Sequence, residues 1–455
     1  MMTGLEREVT LAEVLEAREA RVRRQDALRE EYGAAVVSFT MNIAGPVKNS
    51  ALIRRAFRAG VRQLECGLRA WNLEILHGEE NLAAAGCEAL YAVSGPAGRV
   101  KRVCQSIEDG SRLGRLFDMD VISAAGEKLN RSGEERRCIV CGAAGRGCAS
   151  RRVHSVPELQ DATKSIIIEY FFRSDRELVS RLVTQALLDE VCVTPKPGLV
   201  DRANSGSHRD MDVFTFTASA AALWPYWGKC VEIGRETAGE TAEAAFRALR
   251  REGQAAERAM FDAAGGVNTH KGAIFTLGLL CGAVGRLWKA DAPCRDVERI
   301  LTVCAELARC SFEKDFAEIR AEKIPRTAGE RIYREQGITG IRGEAARGLP
   351  SVREVALPVL RRALDAGKSR NDAGAAALLH LIAQVDDTNL IARGGMEAAR
   401  AARTACAGLL EKNPLPDMEE IAELDRAFTR RNLSPGGCAD LLAAAFFLLS
   451  WEAAE

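Results

Sequence analysis

The sequence predicts an α+β N-terminal domain over residues 1–174 and an all-α C-terminal domain of roughly ten helices over 175–455. Three observations predict it. In the first third, short apolar runs of strand character mix with helical patterns. The strand signals stop at the short polar junction Arg173–Arg176. From Glu177 onward, apolar residues recur at helical spacing in segment after segment, separated by glycine-bearing loops.

Taken in order, residues 5–33 place Leu11, Val14 and Leu15 in helical phase ahead of a charged stretch, which predicts a helix. Val36–Met41 reads as a strand, Asn42–Ser50 as a turn holding Gly45, Pro46 and Lys48, and 51–64 as a helix. The runs at 89–94 and 100–108 read as further β-like segments, and 158–172 as a helix. Beyond the junction, 177–191, 213–234, 241–263, 296–323, 351–366, 372–385, 396–411, 417–430 and 438–453 read as helices. No internal repeat of fixed period appears.

Composition narrows the classes. The 455 residues are 47% apolar and 28% charged, with 63 basic and 63 acidic side chains. That balance excludes a nucleic-acid tail or a general polyanion surface. Fourteen cysteines at irregular spacing read as free thiols with room for one metal site. With no signal-like opening and no apolar run of about 18 residues, the expectation is a soluble cytoplasmic protein without a membrane partner.

The chemistry-bearing residues cluster in loops. EVCVTPKPGLVDRANSGSHRDMD (190–212) is too polar and too broken by Pro195, Pro197, Gly198 and Gly206 to be a core element. It carries Lys196, Arg202, Asp201, Asp210, Asp212 and His208. Lys and Arg bind phosphate and grouped Asp residues bind Mg²⁺, so the stretch predicts a nucleoside-triphosphate site. GGVNTHKGAIFTLGLL (265–280) is a glycine-rich turn into a helix, with Asn268, Thr269, His270 and Lys271 at its entry. GITGIRGEAARGLPSV (337–352) offers Arg342 and Glu344; DDTNLIARGG (386–395) offers Asp386, Asp387, Asn389 and Arg393; NLSPGGCADLLAAAFFL (432–448) sets Ser434 ahead of Asp440. Each alone reads equally as a helix cap, but five such loops in one helical domain point to a site.

Two further motifs lie in the first domain. In LGRLFDMDVIS (113–123), Asp118 and Asp120 are two apart, which on a strand puts both carboxylates on one face. A divalent cation would relieve their repulsion, and Arg115 upstream suits a phosphate; an exposed strand face or turn is the plainer reading. Cys138-x2-Cys141, Cys148 and His154 form a compact candidate zinc set, the alternative being three thiols and a surface histidine. Arg136, Arg137, Arg146, Arg151 and Arg152 crowd the same stretch.

From about Glu177 to its end, the chain resembles triphosphoribosyl-dephospho-CoA synthase, the CitG family. The resemblance rests on 190–212, 265–280, GIRGEAARGLP (340–350), DDTNLIARGG (386–395) and SPGGCADLLA (434–443). From about Leu11 to Phe172 it resembles the CitX family, apo-citrate lyase phosphoribosyl-dephospho-CoA transferase. There the motifs are SFTMNIAGPVKNS (38–50), LGRLFDMDVIS (113–123) and RRCIVCGAAGRGCASRRVHSVPEL (136–159). Three positions depart from the families' patterns: Ala44 replaces a proline, Cys438 a serine, and Ala328 a histidine.

The resemblance implies a bifunctional enzyme. The helical domain would join ATP to 3′-dephospho-CoA. The acceptor's 2′-hydroxyl attacks C1′ of the ATP ribose and adenine leaves, through an oxocarbenium-like transition state. Lys196, Arg202, Asn268, Lys271, Arg342 and Arg393 would then serve the nucleotide. Asp201, Asp210, Asp212, Asp386 and Asp387 would serve Mg²⁺ or the reacting ribose, and His208 or His270 the proton transfers. The first domain would move the phosphoribosyl-dephospho-CoA to a serine of the citrate lyase acyl carrier protein, releasing pyrophosphate. Asp118 and Asp120 would hold Mg²⁺, with Lys48 and Arg115 on phosphates. The same chemistry serving malonate decarboxylase is an alternative. A non-catalytic helical zinc-knuckle protein that binds RNA is another; zero net charge and 5% aromatics count against it.

Overall fold

The computed structural model describes residues 4–133, 136–143, 145–320, 325 and 327–454, without the side chains of 146, 149, 311, 313–315 and 318–320. The side chain of Arg146 and the end of the predicted helix at 321–323 therefore lie outside the described residues. Two compact units are present: Met1–Ser174 with Lys289–Pro293, and Asp175–Trp288 with Cys294–Glu455.

The first unit runs α1 (Leu11–Tyr32), β1 (Ala35–Met41), α2 (Ala51–Ala70), β2 (Ile75–Ala83), β3 (Gly86–Val93), α3 (Ala97–Asp109), β4 (Phe117–Ile122) and α4 (Gly145–Ser150). The four strands form one antiparallel sheet in the order β2-β3-β1-β4. Strand alternation divides β1 between two layers. Phe39 turns towards α2, stacking on Phe57 at 5.0 Å and meeting Phe117 edge-on at 5.2 Å. Gly60 of α2 makes this contact feasible, since a Cβ there would stand 2.5 Å from the Phe39 ring. Val36 and Ser38 face the other way. Val36 packs with Leu28 of α1 and Leu90, and Gln25 of α1 donates to Ser38 Oγ at 2.7 Å.

Two expectations fail in this unit. Residues 100–108 belong to helix α3. Val100, Val103 and Cys104 are its buried positions, so the helical period overrides the β-branched content that suggested a strand. Strand β2 is missing from the sequence reading. ILHGEENLA is polar because this edge strand buries little, and its pairing with β3 slips between Ile75 and His77. The polar junction Arg173–Arg176 does hold the division between the two units, at Ser174/Asp175, but as part of one continuous helix, α5 (Val156–Cys192), and not as a loop. Four consecutive polar residues on one helical turn read like a linker.

After α5 come helices alone among the described residues: α6 (Val213–Ala222), α7 (Trp224–Glu236), α8 (Ala242–Ala263), α9 (Lys271–Arg286), α10 (Val297–Arg320), α11 (Ala328–Gln336) and α12 (Gly340–Ala346). A π-helical turn, Ser351–Ala356, leads into α13 (Leu357–Asp365), α14 (Arg370–Gln384), α15 (Thr388–Lys412), α16 (Met418–Arg430) and α17 (Gly436–Glu452). The single helix expected over 213–234 is two, with Pro225 in the first turn of the second. Helices α9, α14 and α17 are buried over most of their length and apolar nearly all round, the pattern of central helices. Helix α9 meets α7 backbone to backbone. A Cβ on Gly234 would stand 2.1 Å from the Gly282 carbonyl, so this crossing admits no side chain there. No described helix is long and apolar enough to cross a membrane.

Candidate active sites

The first turns of α9, α12, α15 and α17 and the loop before α6 enclose a cavity of about 930 Å³. Of the residues singled out in the sequence, Lys196, His208, Asp210, Asn268, His270, Lys271, Asp386, Asp387 and Arg393 line it. Asp201, Arg202, Asp212 and Arg342 do not. Asp201 is buried and accepts the backbone N–H groups of Lys196, Ala203 and Asn204 at 3.1, 2.7 and 2.9 Å, so it shapes the loop. Arg202 donates to Asn371 at 2.9 Å. Asp212 caps α6, accepting from Thr215 N–H and hydroxyl. Asp386 pairs with Arg403 at the cavity edge.

The loop is locked to the far end of the chain. Gly198 N–H donates to Asp425 at 2.9 Å, Ser207 Oγ to the Leu433 carbonyl at 2.6 Å, and His208 Nε2 meets Ser434 Oγ at 2.9 Å. Arg393 donates to His208 Nδ1 at 3.0 Å. An arginine only donates, so Nδ1 is bare, Nε2 carries the ring proton, and that proton goes to Ser434. Burial and the Arg393 charge push His208 down to about 4. Both its nitrogens are engaged, which leaves it no lone pair for substrate.

His270 is different. It is 3% exposed, and its Nε2 has no hydrogen-bond partner among the described residues. Thr269 donates to Ser219 Oγ at 2.8 Å, and Ser219 lies 2.7 Å from His270 Nδ1. That relay uses the serine proton on Nδ1, so Nε2–H is the ring's donor, held at the cavity wall. Burial, then the Lys196 charge, push His270 down to about 3, so it works as a neutral hydrogen-bond donor.

Both signs of charge line the cavity, with exposed Asp210 and Asp386 also at its edge. Its floor holds Glu190, Asp387 and Asp440; its rim holds Lys271, Arg347 and Arg393. Lys196, 1% exposed, sits on Glu190 Oε1 at 2.5 Å and on the Glu190 carbonyl at 2.8 Å. Asp387 accepts Asn389 N–H at 2.7 Å and Leu390 N–H at 3.1 Å, which caps α15, and Cys438 N–H of α17 at 2.8 Å. Burial still raises its pKa against those bonds. Asp440 packs on Gly272, where a Cβ would stand 1.9 Å from Oδ2. Burial first, then Glu190 and Asp387, lift its carboxyl well above the usual range. Rim cations are wetter: Lys271 is 47% exposed and pairs with Glu257 at 3.0 Å, and Arg347 is 57% exposed beside Glu344.

From sequence, Asp440 stands only as part of its loop motif and Glu190 as the first residue of 190–212, neither with a role. The available signal was a carboxylate inside an otherwise apolar helical run, LLDEVCV and GCADLLAAAFF. A charge there is costly unless the site uses it.

In the first unit, β4 alternates buried Phe117, Met119 and Val121 with half-buried Asp118 and Asp120. The pair shares a face, as the i, i+2 spacing predicts, opposite Thr40 and Ser38 of β1. Burial and then Asp120 raise the Asp118 pKa, and Lys128 holds Asp120 at 2.5 Å. Lys48 donates to the Ile43 carbonyl at 2.5 Å and Arg115 to the Arg137 carbonyl, so both cations rest on neutral acceptors. Glu108, buried and absent from the sequence reading, accepts Met119 N–H at 2.8 Å and pairs with Arg131 and Arg136. The donor atoms of Cys138, Cys141, Cys148 and His154 all lie within 4.8 Å of one another.

Comparison with known proteins supplies the family. Residues 176–455 match the CitG model, ATP:dephospho-CoA triphosphoribosyl transferase, and residues 9–170 the CitX model, apo-citrate lyase phosphoribosyl-dephospho-CoA transferase. Protein CitXG of Haemophilus influenzae is 33% identical over 457 residues, covering 98% of this chain and 97% of that one. The chain belongs to the CitX–CitG fusion family. A CitXG protein of Leuconostoc mesenteroides is 32% identical over 97% of both chains. A 2-(5″-triphosphoribosyl)-3′-dephosphocoenzyme-A synthase of Pectobacterium atrosepticum is 41% identical over 63% of this chain and 93% of its own. As a CitX–CitG fusion the chain is a bifunctional transferase of citrate lyase prosthetic-group synthesis.

Proposed function

We propose that residues 175–455 make 2′-(5″-triphosphoribosyl)-3′-dephospho-CoA in the polarised cavity, and that residues 1–174 attach it to a carrier protein at β4. The observation that carries the first half is one cavity lined by exposed Lys271, Arg347 and Arg393 and, deeper, by buried Glu190, Asp387 and Asp440. ATP entering with its triphosphate on Lys271, Arg347 and Arg393 brings its ribose down to Asp440 and His270. Asp440, whose carboxyl is pushed well up by burial and by the nearby Glu190 and Asp387, supplies the proton that departing adenine takes up. Asp210 has no ion pair closer than His208 Nδ1 at 4.0 Å among the described residues. It accepts the proton of the attacking 2′-hydroxyl. The C1′–N bond breaks as the C1′–O bond forms, and the proton lost equals the proton gained. His270 Nε2–H orients the bound nucleotide.

In the first unit, the raised Asp118 carboxyl beside Asp120 is the arrangement a divalent cation relaxes, so this pair fits Mg²⁺. Mg²⁺ held by Asp118 and Asp120 would supply the positive charge that stabilises the reacting phosphate. A carrier serine oxygen attacks the phosphate nearest the ribose and pyrophosphate leaves, with Arg115 and Lys48 on the phosphates. The acceptor is the acyl carrier subunit of citrate lyase. The fourteen unpaired cysteines suit a reducing cytoplasm.

The deciding experiment measures two products from the intact chain. Free adenine should form only when ATP, dephospho-CoA and Mg²⁺ are all present. Labelled carrier should appear only when the carrier is added as well. Adenine formed equally well without dephospho-CoA would make the cavity a hydrolase site.

A further inference from the structure

We propose that Cys138, Cys141, Cys148 and His154 bind one Zn²⁺, which folds the arginine-rich segment 136–154 and fixes it against strand β4. In tetrahedral Zn²⁺ with sulfur at about 2.3 Å and nitrogen at about 2.0–2.1 Å, two sulfurs stand about 3.8 Å apart and a sulfur and a nitrogen about 3.5 Å. Here Cys141 Sγ lies 3.4 Å from Cys148 Sγ and 3.3 Å from His154 Nε2, and all four donors fit within 4.8 Å. To coordinate, the two close pairs open by a few tenths of an ångström and the widest close by about 1 Å, shifts within reach of side-chain torsions.

The backbone is shaped for it. Cys138 and Cys141 bracket a tight turn closed by Gly142 N–H to the Cys138 carbonyl at 3.0 Å and Cys138 N–H to the Ala143 carbonyl at 2.7 Å. Gly142 takes the left-handed conformation, φ +72°, that this reversal requires. Cys148 follows on α4, and Val153 N–H returns to its carbonyl at 3.1 Å, which brings His154 back to the first two thiols.

Two alternatives fit less well. A disulfide needs sulfurs about 2.0 Å apart, and a third thiol and an imidazole would remain in the same cluster. A hydrophobic reason for the convergence is missing: among the described residues from 124 to 155, Cys148 is the single buried one. Without an apolar core, such a segment takes its folding energy from a metal.

The metal's second role rests on the proposed transfer chemistry. The leg entering the cluster is fastened to the start of β4. The Arg136 guanidinium donates to the Phe117 carbonyl at 3.0 Å and pairs with Glu108, while Arg115 holds the Arg137 carbonyl. Asp118 and Asp120 follow directly on that strand. The cluster is thus a positioning device for the cations facing the carboxylate pair, without touching substrate.

The test uses the full chain. Elemental analysis after dialysis should find one zinc per chain, and cobalt exchange should give thiolate-to-metal charge-transfer absorption of a tetrahedral site. Cys141→Ser and His154→Ala should each lose the metal while adenine release, a check on folding, stays at the wild-type rate. Tryptic cleavage after Arg136 and Arg137 should become at least about tenfold faster in the metal-free chain. Wild-type protein with no zinc and no cobalt absorption overturns the proposal. So does zinc retained by both variants, or a thiol titration showing a zinc-insensitive disulfide. Zinc-loaded protein in which Asp118→Asn still modifies carrier would instead sink the transfer reading and leave the metal site standing.

Discussion

Replacing Gly272 with alanine should slow adenine release about a hundredfold without unfolding the protein. The new Cβ would stand 1.9 Å from Asp440 Oδ2, and real Cβ contacts stay beyond 3.0 Å, so the carboxyl must retreat by roughly 1 Å. A reacting group displaced by about 1 Å costs on the order of 10²-fold, or about 2.7 kcal/mol at 25 °C. Helix stability moves the other way, because alanine is better than glycine inside a helix by up to about 1 kcal/mol. Melting temperature should therefore hold or rise while kcat falls, and KM for ATP should stay near the wild-type value because Lys271, Arg347 and Arg393 are untouched. The assay is adenine formation by chromatography, paired with thermal melting, in wild type, Gly272→Ala, Asp440→Asn and the double variant. If Asp440 is the route, Gly272→Ala should add little to Asp440→Asn. A Gly272→Ala enzyme within twofold of wild type, or fully additive losses in the double variant, would refute the assignment of Asp440.

Asp118→Asn and Asp120→Asn should abolish carrier labelling, a loss of several kcal/mol of transition-state stabilisation, yet leave adenine release intact; loss of both activities in a folded variant would break the two-site reading. Lys196→Ala should destabilise the helical unit by about 3–5 kcal/mol in urea unfolding, because Glu190 is left charged and buried, and Lys196→Met with Glu190→Gln should recover much of it. His208 and His270, held at about 4 and about 3, are neutral when folded and ordinary histidines when unfolded. The unfolded chain therefore binds more protons below pH 6.5. Stability should fall by about 2 kcal/mol per histidine between pH 7 and pH 5, and His208→Gln should flatten that slope. A wild-type slope unchanged in the variant would argue against the buried neutral ring.

The helical unit was legible because its helices alternate apolar stripes with glycine-rich loops, and the loops carrying Lys196, His270, Asp387 and Arg393 do converge. What failed had physical causes. An edge strand such as β2 has no apolar alternation to display, and Val100 and Val103 look like strand residues until their helical spacing is weighed. Asp201 and Asp212 carry the right chemistry for a metal or a base, but hydrogen-bond it to their own backbone, a use no residue list reveals. Glu190 and Asp440 border the loops that were singled out but drew no role, because a carboxylate within a helix reads first as a packed or capping residue. The Asp118/Asp120 alternation and the CxxC spacing, by contrast, are local rules, and local rules read directly from sequence.

The bonds from Gly198, Ser207 and His208 to Asp425, Leu433 and Ser434 span 226 or 227 residues each. Such closures come late in folding, since the chain must surrender the entropy of a long loop before any of them rewards it. During synthesis the 190–212 loop emerges well before residues 425–434, and until they follow it has nothing to grip. A nascent or prematurely ended chain thus holds Lys196 and His208 without the wall that orders them. A protease that samples unclosed loops would find the 193–212 stretch open in any copy that lacks residues 425–434.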